Sequence, residues 1–233
     1  MNSNRHTARA AGLLYLLGAV TAPLGLVYVP RALIVPGDAA ATAAHLRASA
    51  TLVRLGIASE LLSSVVFVFV VLALYRLFRP VHPTRALAMA TLLLVSVPIS
   101  CFNVLNDVAA LVLVSGAAFL SVFEARQLDA LAYLFVRLHG LGLSVAAIFW
   151  GLWLFPFGML VVRSGFLPRV LGVLLFLAGA GYLAGSGASL LLPQHAHLVS
   201  PFATALELGE LPIILWLVVR GAKESPAGSP AAA

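Results

Sequence analysis

Long apolar segments alternate with short polar ones along most of the chain. Six of them approach or exceed the ~20 residues that a helix needs to cross a bilayer, and they cover roughly 10–30, 54–76, 86–112, 138–162, 169–191 and 199–219. The short alternation of apolar and polar residues that marks a membrane β-barrel is absent. The pattern therefore predicts an all-α fold, a bundle of six transmembrane helices that forms one domain over residues 1–221.

The segments between the predicted spans are short, except for residues 31–53. There Pro36 and Gly37 favour a turn, Asp38 is a good helix N-cap, and an alanine-rich stretch follows. We expect a short helix at the membrane surface. The C-terminal residues 222–233 consist mainly of Pro, Gly, Ser and Ala without an apolar anchor, so this tail is predicted to be disordered.

Basic residues are distributed unequally between the two ends of the predicted bundle. Nine lie at one end: Arg5, Arg9, Arg76, Arg79, Arg85, Arg163, Arg169, Arg220 and Lys223. Five lie at the other: Arg31, Arg47, Arg54, Arg126 and Arg137. The positive-inside rule then predicts that both termini are cytoplasmic, which an even number of spans allows. The first apolar segment has a basic start like a signal peptide, but it continues to Val29, so we interpret it as a retained span.

Composition supports the membrane assignment and excludes other classes. The chain is 62% hydrophobic and 9% charged, whereas soluble domains carry about a quarter charged residues. The net charge of +6 does not indicate nucleic-acid binding, because the basic residues flank apolar segments. The lone Cys101 excludes an intrachain disulfide. The predicted surroundings are the lipid of a membrane, and no protein partner is identified.

Two acidic residues lie inside the last apolar segment, in "ALELGELPIILWLVV" at 205–219. A carboxylate at membrane depth costs at least a few kcal/mol on insertion scales. With a helical rise of ~1.5 Å per residue, Glu210 is ~15 Å from the basic edge at Arg220, and Glu207 is ~20 Å from it. By the same arithmetic Glu60 lies ~24 Å from Arg76.

The remaining intramembrane polar residues are predicted nearer the outer surface. Asn103 comes out at ~27 Å, and Asp107, Arg137 and His139 at ~33 to 39 Å. Since the inner half of every span is almost purely apolar, we predict a polar pocket that opens to the outside. Its candidate ligand-binding residues are Glu207, Glu210, Glu60, Asn103, Asp107, Arg137 and His139.

The chemistry of this pocket remains open between several interpretations. Two carboxylates one helical turn apart resist ionising together, so we expect either a protonated Glu207 or Glu210 or a cation bound between them. The alternative is a structural role through hydrogen bonds between helices. Arg137 and His139 either pair with Asp107 or extend to the membrane interface.

Other motifs indicate packing rather than a cofactor site. His195 and His197 are spaced to chelate zinc, but a closed site needs four ligands and neither H-E-x-x-H nor C-x-x-C occurs. We therefore predict no metal site, and the sequence identifies no cofactor. The aromatic run "FWGLWLFPFG" at 149–158 is interpreted as packing and lipid-facing surface, with a bend at Pro156. Gly181 and Gly185 are interpreted as a close-packing helix face.

Four segments resemble a known family: "RAAGLLYLLGAVTAP" at 9–23, "LALYRLF" at 72–78, "FWGLWLFPFGMLVVRSGFLPRVLGVLL" at 149–175 and "ELPIILWLVVRG" at 210–221. They are similar to the bacterial membrane proteins grouped as domain of unknown function 4386. The resemblance implies a multi-span membrane protein and no established activity, so no catalytic residue is carried over.

Three functional classes fit these observations. The first is binding or transport of a proton, a cation or a small cationic ligand by Glu207 and Glu210. The second is a membrane enzyme that acts on a lipid at the outer leaflet, with Glu207, Glu210 or His139 as acid or base. The third is a non-catalytic subunit that buries its polar face against another protein.

Overall fold

A computed structural model describes residues 3–222 of the chain, with side chains from Arg5 onwards. These residues form helices joined by short turns, and no strand occurs among them. Six helices are long and apolar enough to cross a membrane, and we number them span 1 (Arg5–Leu33), span 2 (Ala50–Phe78), span 3 (Pro83–Leu113), span 4 (Ala125–Arg163), span 5 (Arg169–Leu191) and span 6 (Pro193–Val219). The predicted all-α fold is confirmed. The predicted tail at 222–233 lies outside the described residues from position 223 onwards.

Local sequence signals set several helix boundaries. The Asp38 side chain accepts a hydrogen bond from the Ala41 backbone N–H at 2.9 Å, and the helix Ala39–Ala48 follows, as predicted. Span 4 begins at Ala125, whereas the sequence placed its start at 138. The reason is a capping box, in which the side chains of Glu124 and Gln127 satisfy the first backbone amides. This cap lets polar residues form the first turns of the helix.

The half of the bundle next to the two termini is filled by apolar side chains. There a hydrogen bond joins span 1 to span 6, in which Arg9 Nη2 donates to the Val219 carbonyl at 3.1 Å. Inside, Phe78 packs edge-on against Phe157 with ring centroids 5.5 Å apart, in a continuous core that also includes Leu74, Met89, Leu160, Leu175 and Leu217. This dense core closes the bundle at the end where the basic residues of the spans are concentrated.

Beyond this core, four of the spans depart from regular α-helix. Span 1 contains a π-helical turn at Leu24–Tyr28, and span 3 is interrupted after Asn103. Span 4 is interrupted at Trp153, ahead of Pro156, and span 6 passes through a 3₁₀ turn at Leu208–Glu210, ahead of Pro212. A proline lacks the N–H that would bond the carbonyl four residues earlier, which loosens the helix at both of the latter positions. These irregularities lie close to the polar side chains.

Gly181 lets span 5 approach span 6 closely, as its small-residue spacing predicted. A Cβ at this position would lie 2.8 Å from both the Ala203 carbonyl oxygen and the Leu206 Cβ. We expect Gly181→Ala to lower the free energy of unfolding by about 1–3 kcal/mol, because backbone atoms must move apart. Gly187→Ala on the same helix is the control, since a Cβ there meets nothing within 4 Å. Equal melting midpoints of the two variants in detergent would contradict this account.

Candidate functional site

A cavity of about 370 Å³ lies between the spans, above the apolar core. Its size falls within the range of small-molecule sites, which are commonly ~300–1,000 Å³. Three acidic residues line it, Glu60 from span 2 and Glu207 and Glu210 from span 6, and none of the Arg residues that the structure describes does so. The wall is otherwise largely apolar. The cavity is therefore acidic in chemistry, and no described Arg lines it as a counter-charge.

The two acids of span 6 lie at the 3₁₀ turn, and both are half-buried. Tyr182 in span 5 donates its hydroxyl to Glu210 Oε2 at 3.2 Å, which fixes this carboxyl group against the neighbouring helix. Glu207 has no such partner in the described structure and also borders a second, smaller cavity. Glu210 is thus the anchored acid of the pair and Glu207 the freer one.

Aromatic rings form much of the remaining wall. Tyr15 lies between Phe67 and Trp153, with ring centroids 5.6 Å and 6.0 Å away. On another part of the wall, Trp150 packs edge-on against Tyr182 at 6.2 Å. All five residues line the cavity. The sequence analysis assigned the run at 149–158 to packing and lipid-facing surface and missed this role, although Trp150 and Trp153, three residues apart, share a helix face.

A second polar group is buried between spans 2, 3 and 4. His139 Nδ1 lies 3.2 Å from Asp107 Oδ2, and His139 Nε2 lies 3.5 Å from Glu60 Oε1. Only 3% of the His139 surface and 6% of the Glu60 surface are exposed. The imidazole therefore has an acidic neighbour at each ring nitrogen and almost no contact with solvent or lipid. We call Glu60, Asp107 and His139 the His139 cluster.

Hydrogen bonds to Asn103 hold the backbone of this cluster. Asn103 Nδ2 donates to the His139 carbonyl at 2.9 Å, and Asn106 Nδ2 donates to Asn103 Oδ1 at 3.0 Å. Two glycines leave the space for these side chains. A Cβ at Gly142 would overlap the Asn103 amide, and a Cβ at Gly25 would lie 2.6 Å from Glu60 Oε1.

The seven candidate residues from the sequence thus fall into two groups instead of one pocket. Glu60, Glu207 and Glu210 line the cavity, while Asn103, Asp107 and His139 lie behind it and meet it at Glu60. Arg137 belongs to neither group, because its side chain is exposed and Asp107 pairs with His139.

The depth assigned to His139 was also wrong relative to Glu60. The sequence placed the two side chains ~12 Å apart along the membrane normal, yet they are in contact. The calculation treats helices as straight and upright, whereas span 4 is interrupted at Trp153, between His139 and its reference residue Arg163.

The second cavity, of about 230 Å³, adjoins the first between spans 4, 5 and 6. Both are lined by Trp150, Tyr182 and Glu207. Hydroxyl side chains predominate among the other residues that line the second cavity, which include Ser144, Ser186, Ser189, Ser200 and Thr204. The second cavity therefore brings several hydroxyl side chains together with Glu207.

Comparisons with known proteins identify a family and one relative. The family described as domain of unknown function 4386 matches residues 10–221. An uncharacterized protein of Archaeoglobus fulgidus is 34% identical over 83 residues, a match that covers 36% of this chain and 48% of that protein. The chain thus spans about half the length of this relative. No solved structure matches the chain.

Proposed function

The chain belongs to the family described as domain of unknown function 4386, and we propose that it binds a small organic cation in the cavity between its spans. The observation that carries the proposal is the charge of the cavity wall, which has three carboxyl groups and none of the described Arg residues. Each of the three that ionises places a negative charge in a low-dielectric setting. A cation supplies the missing counter-charge there.

The aromatic rings favour an organic cation over a bare metal ion. Aromatic faces attract ammonium groups, most strongly when both are removed from water, and rings from several sides form the cages that recognise quaternary ammonium ions. Tyr15, Trp150 and Trp153 are close enough to the acids to line the same cavity. Amines and quaternary ammonium compounds of modest size are therefore the proposed ligand class.

The serine-rich second cavity supports a route for such a ligand. A cation that moves from the surface to Glu207 needs polar contacts along its path, and hydroxyl groups supply them. Ser186 lines this cavity, and its buried Oγ makes no hydrogen bond in the described structure. This arrangement supports a transport role in addition to binding.

The unequal distribution of basic residues supports an orientation of the bundle in the membrane, and with it the side on which the cavity lies. Among the described residues, eight Arg lie at the end of the bundle that holds the termini, next to the closed apolar core. If this end is cytoplasmic, as the positive-inside rule predicts, the cavity lies in the outer half of the membrane. We propose this orientation in a bacterial plasma membrane.

The hydroxyls of the cavity give less support to an enzyme. Ser63 Oγ donates to the Gly18 carbonyl at 3.4 Å, and Ser96 Oγ donates to the Leu93 carbonyl at 2.7 Å. A serine nucleophile is activated by an adjacent base, and here both hydroxyls bond to helix backbone instead. Ligand binding is thus the function that the geometry supports best.

Choline is a suitable probe, with the neutral 3,3-dimethyl-1-butanol as its shape-matched control. We expect choline, but not the alcohol, to raise the melting midpoint of the purified protein. Glu210→Gln should weaken choline binding at least about tenfold, which corresponds to ~1.4 kcal/mol, while Glu124→Gln outside the cavity leaves it unchanged. Equal binding of the two probes, or an unaffected Glu210→Gln variant, would argue against an organic-cation site.

A further inference from the structure

We propose that the His139 cluster binds a divalent transition-metal ion, with Glu60 and His139 as ligands and Asp107 as the residue that orients the imidazole. One ligand-capable atom from each of the three residues lies within 4.8 Å of the other two. Imidazole nitrogen and carboxylate oxygen are suitable ligands for zinc and its neighbours. The proposal does not depend on the cation cavity, because the metal site would exist without an organic ligand.

The His139 Nε2 atom is the observation that points to an ion. It is fully buried and makes no hydrogen bond within the described structure, although leaving a buried polar atom unpaired is costly. It faces Glu60 Oε1 at 3.5 Å. Two ligands bound at ~2.0–2.1 Å to a tetrahedral ion lie ~3.4 Å apart, so an ion fits between these atoms with little movement.

Asp107 lies where a carboxylate supports a metal-bound histidine. When Nε2 binds an ion, the proton of the neutral ring is on Nδ1. Asp107 Oδ2, 3.2 Å from this nitrogen, then accepts a hydrogen bond from it, while Asn103 Nδ2, 3.4 Å from the same nitrogen, donates to the backbone carbonyl and not to the ring. Such a carboxylate fixes the tautomer and the orientation of the ring. Asn103 adds to this by donating to the His139 carbonyl at 2.9 Å, which holds the backbone of the ligand in place.

The site also borders the cavity, since Glu60 belongs to both. Both Cγ and the carboxyl Oε1 of Glu60 are packed against Gly25, in the π-helical turn of span 1. π-Turns of this kind occur frequently at functional sites. With two protein ligands, the ion keeps coordination positions for water or for a polar group of a molecule in the cavity.

The sequence analysis predicted no metal site because it searched for short motifs. The three residues are 47 and 32 positions apart, at 60, 107 and 139, and belong to three spans. The alternative is a network of hydrogen bonds and ion pairs in which a protonated His139 bridges two carboxylates without a metal. The two accounts differ in whether the purified protein takes up an ion at this place.

Cobalt is the probe that reports binding directly. We would strip the full-length protein with a chelator in detergent, add Co²⁺, record its visible absorption, and then displace it with Zn²⁺. One ion per chain is expected. Glu60→Gln and His139→Gln should abolish the band, and Asp107→Asn should weaken binding by about 10–100-fold, the usual effect of losing an orienting carboxylate.

The controls separate this site from the surface and from the cation cavity. His195→Gln removes an exposed histidine of the H-x-H pair and should leave the Co²⁺ band unchanged. Glu210→Gln should also retain the band, although it loses choline binding, so the two proposals fail independently. Circular dichroism identifies variants that have lost their helical fold. If the Glu60 or His139 variant does not fold, Asp107→Asn still tests the proposal, because it deletes no ligand. No Co²⁺ band, or a band that persists in folded His139→Gln, would overturn the proposal.

Discussion

Gly142→Ala is expected to destabilise the bundle by about 2–3 kcal/mol, the upper part of the range for overpacking a buried position. A Cβ at this position would overlap the Asn103 amide, which has to move. Asn103 is buried and donates to the His139 carbonyl, while its own Oδ1 accepts from Asn106. The methyl group thus lowers the free energy of unfolding in two ways, through steric overlap and through the loss of buried hydrogen bonds. The measurement is the melting midpoint and the denaturant-induced unfolding of the protein in detergent.

A double-mutant cycle tests whether the effect passes through Asn103. Asn103→Ala alone should destabilise the protein, because the bonds to His139 and Asn106 are lost. In the Gly142→Ala/Asn103→Ala variant the new methyl group occupies the space left by the amide, so the two losses should not add. Gly140→Ala is the control, since a Cβ there, two residues away on span 4, meets nothing within 4 Å. Additive losses would show that the close packing at Gly142 does not involve Asn103.

The features that the sequence predicted well are local or depend on total length. Span length and apolarity follow from the bilayer thickness alone, so all six spans could be found without knowing their contacts. The cap at Asp38 depends on a few neighbouring residues, and the small-residue spacing at Gly181 marks a packing face without identifying span 6 as its partner. The span lengths and the cap would be present in much the same form whatever the arrangement of the spans in the bundle.

The grouping of the polar residues depends on how each helix is rotated and where it bends. Glu60, Asp107 and His139 come from three spans, and their contact requires irregular turns whose effect on depth cannot be calculated from residue counts. The regular helix of span 3 is interrupted after Asn103, just before Asp107. For this reason the sequence identified the polar residues but combined two separate groups into one pocket.

The aromatic residues illustrate a different difficulty. In an apolar chain, a Trp that faces lipid and a Trp that lines an internal cavity have the same sequence context. Trp153 is almost completely buried, with 1% exposure, and lines the cavity together with the acids. Contacts with other spans, such as the one with Tyr15 from span 1, distinguish the two roles, and long-range contacts of this kind leave no local signal.

Ser100→Lys should reduce the affinity for choline at least about 100-fold, which corresponds to ~2.7 kcal/mol. Ser100 is half-buried and lines the cavity with Glu60 and the two acids of span 6. A lysine there introduces a permanent cation close to these carboxylates. Because it is covalently attached, it competes with the ligand without the loss of translational freedom that binding a free cation entails. The same ion pairing should raise the melting midpoint of the free protein relative to a neutral side chain of equal length. Isothermal titration and thermal unfolding measure the two effects.

Ser100→Met is the matched control for this variant, because methionine resembles lysine in length and flexibility but carries no charge. It occupies part of the cavity and should weaken choline binding only modestly, through lost volume. If the wall recognises positive charge, Lys and Met must differ strongly, and lowering the salt concentration should widen the difference. If the cavity binds its ligand through apolar contact alone, the two variants will weaken binding equally. That result would remove the acidic residues from the recognition of the ligand and leave them a structural role between the spans.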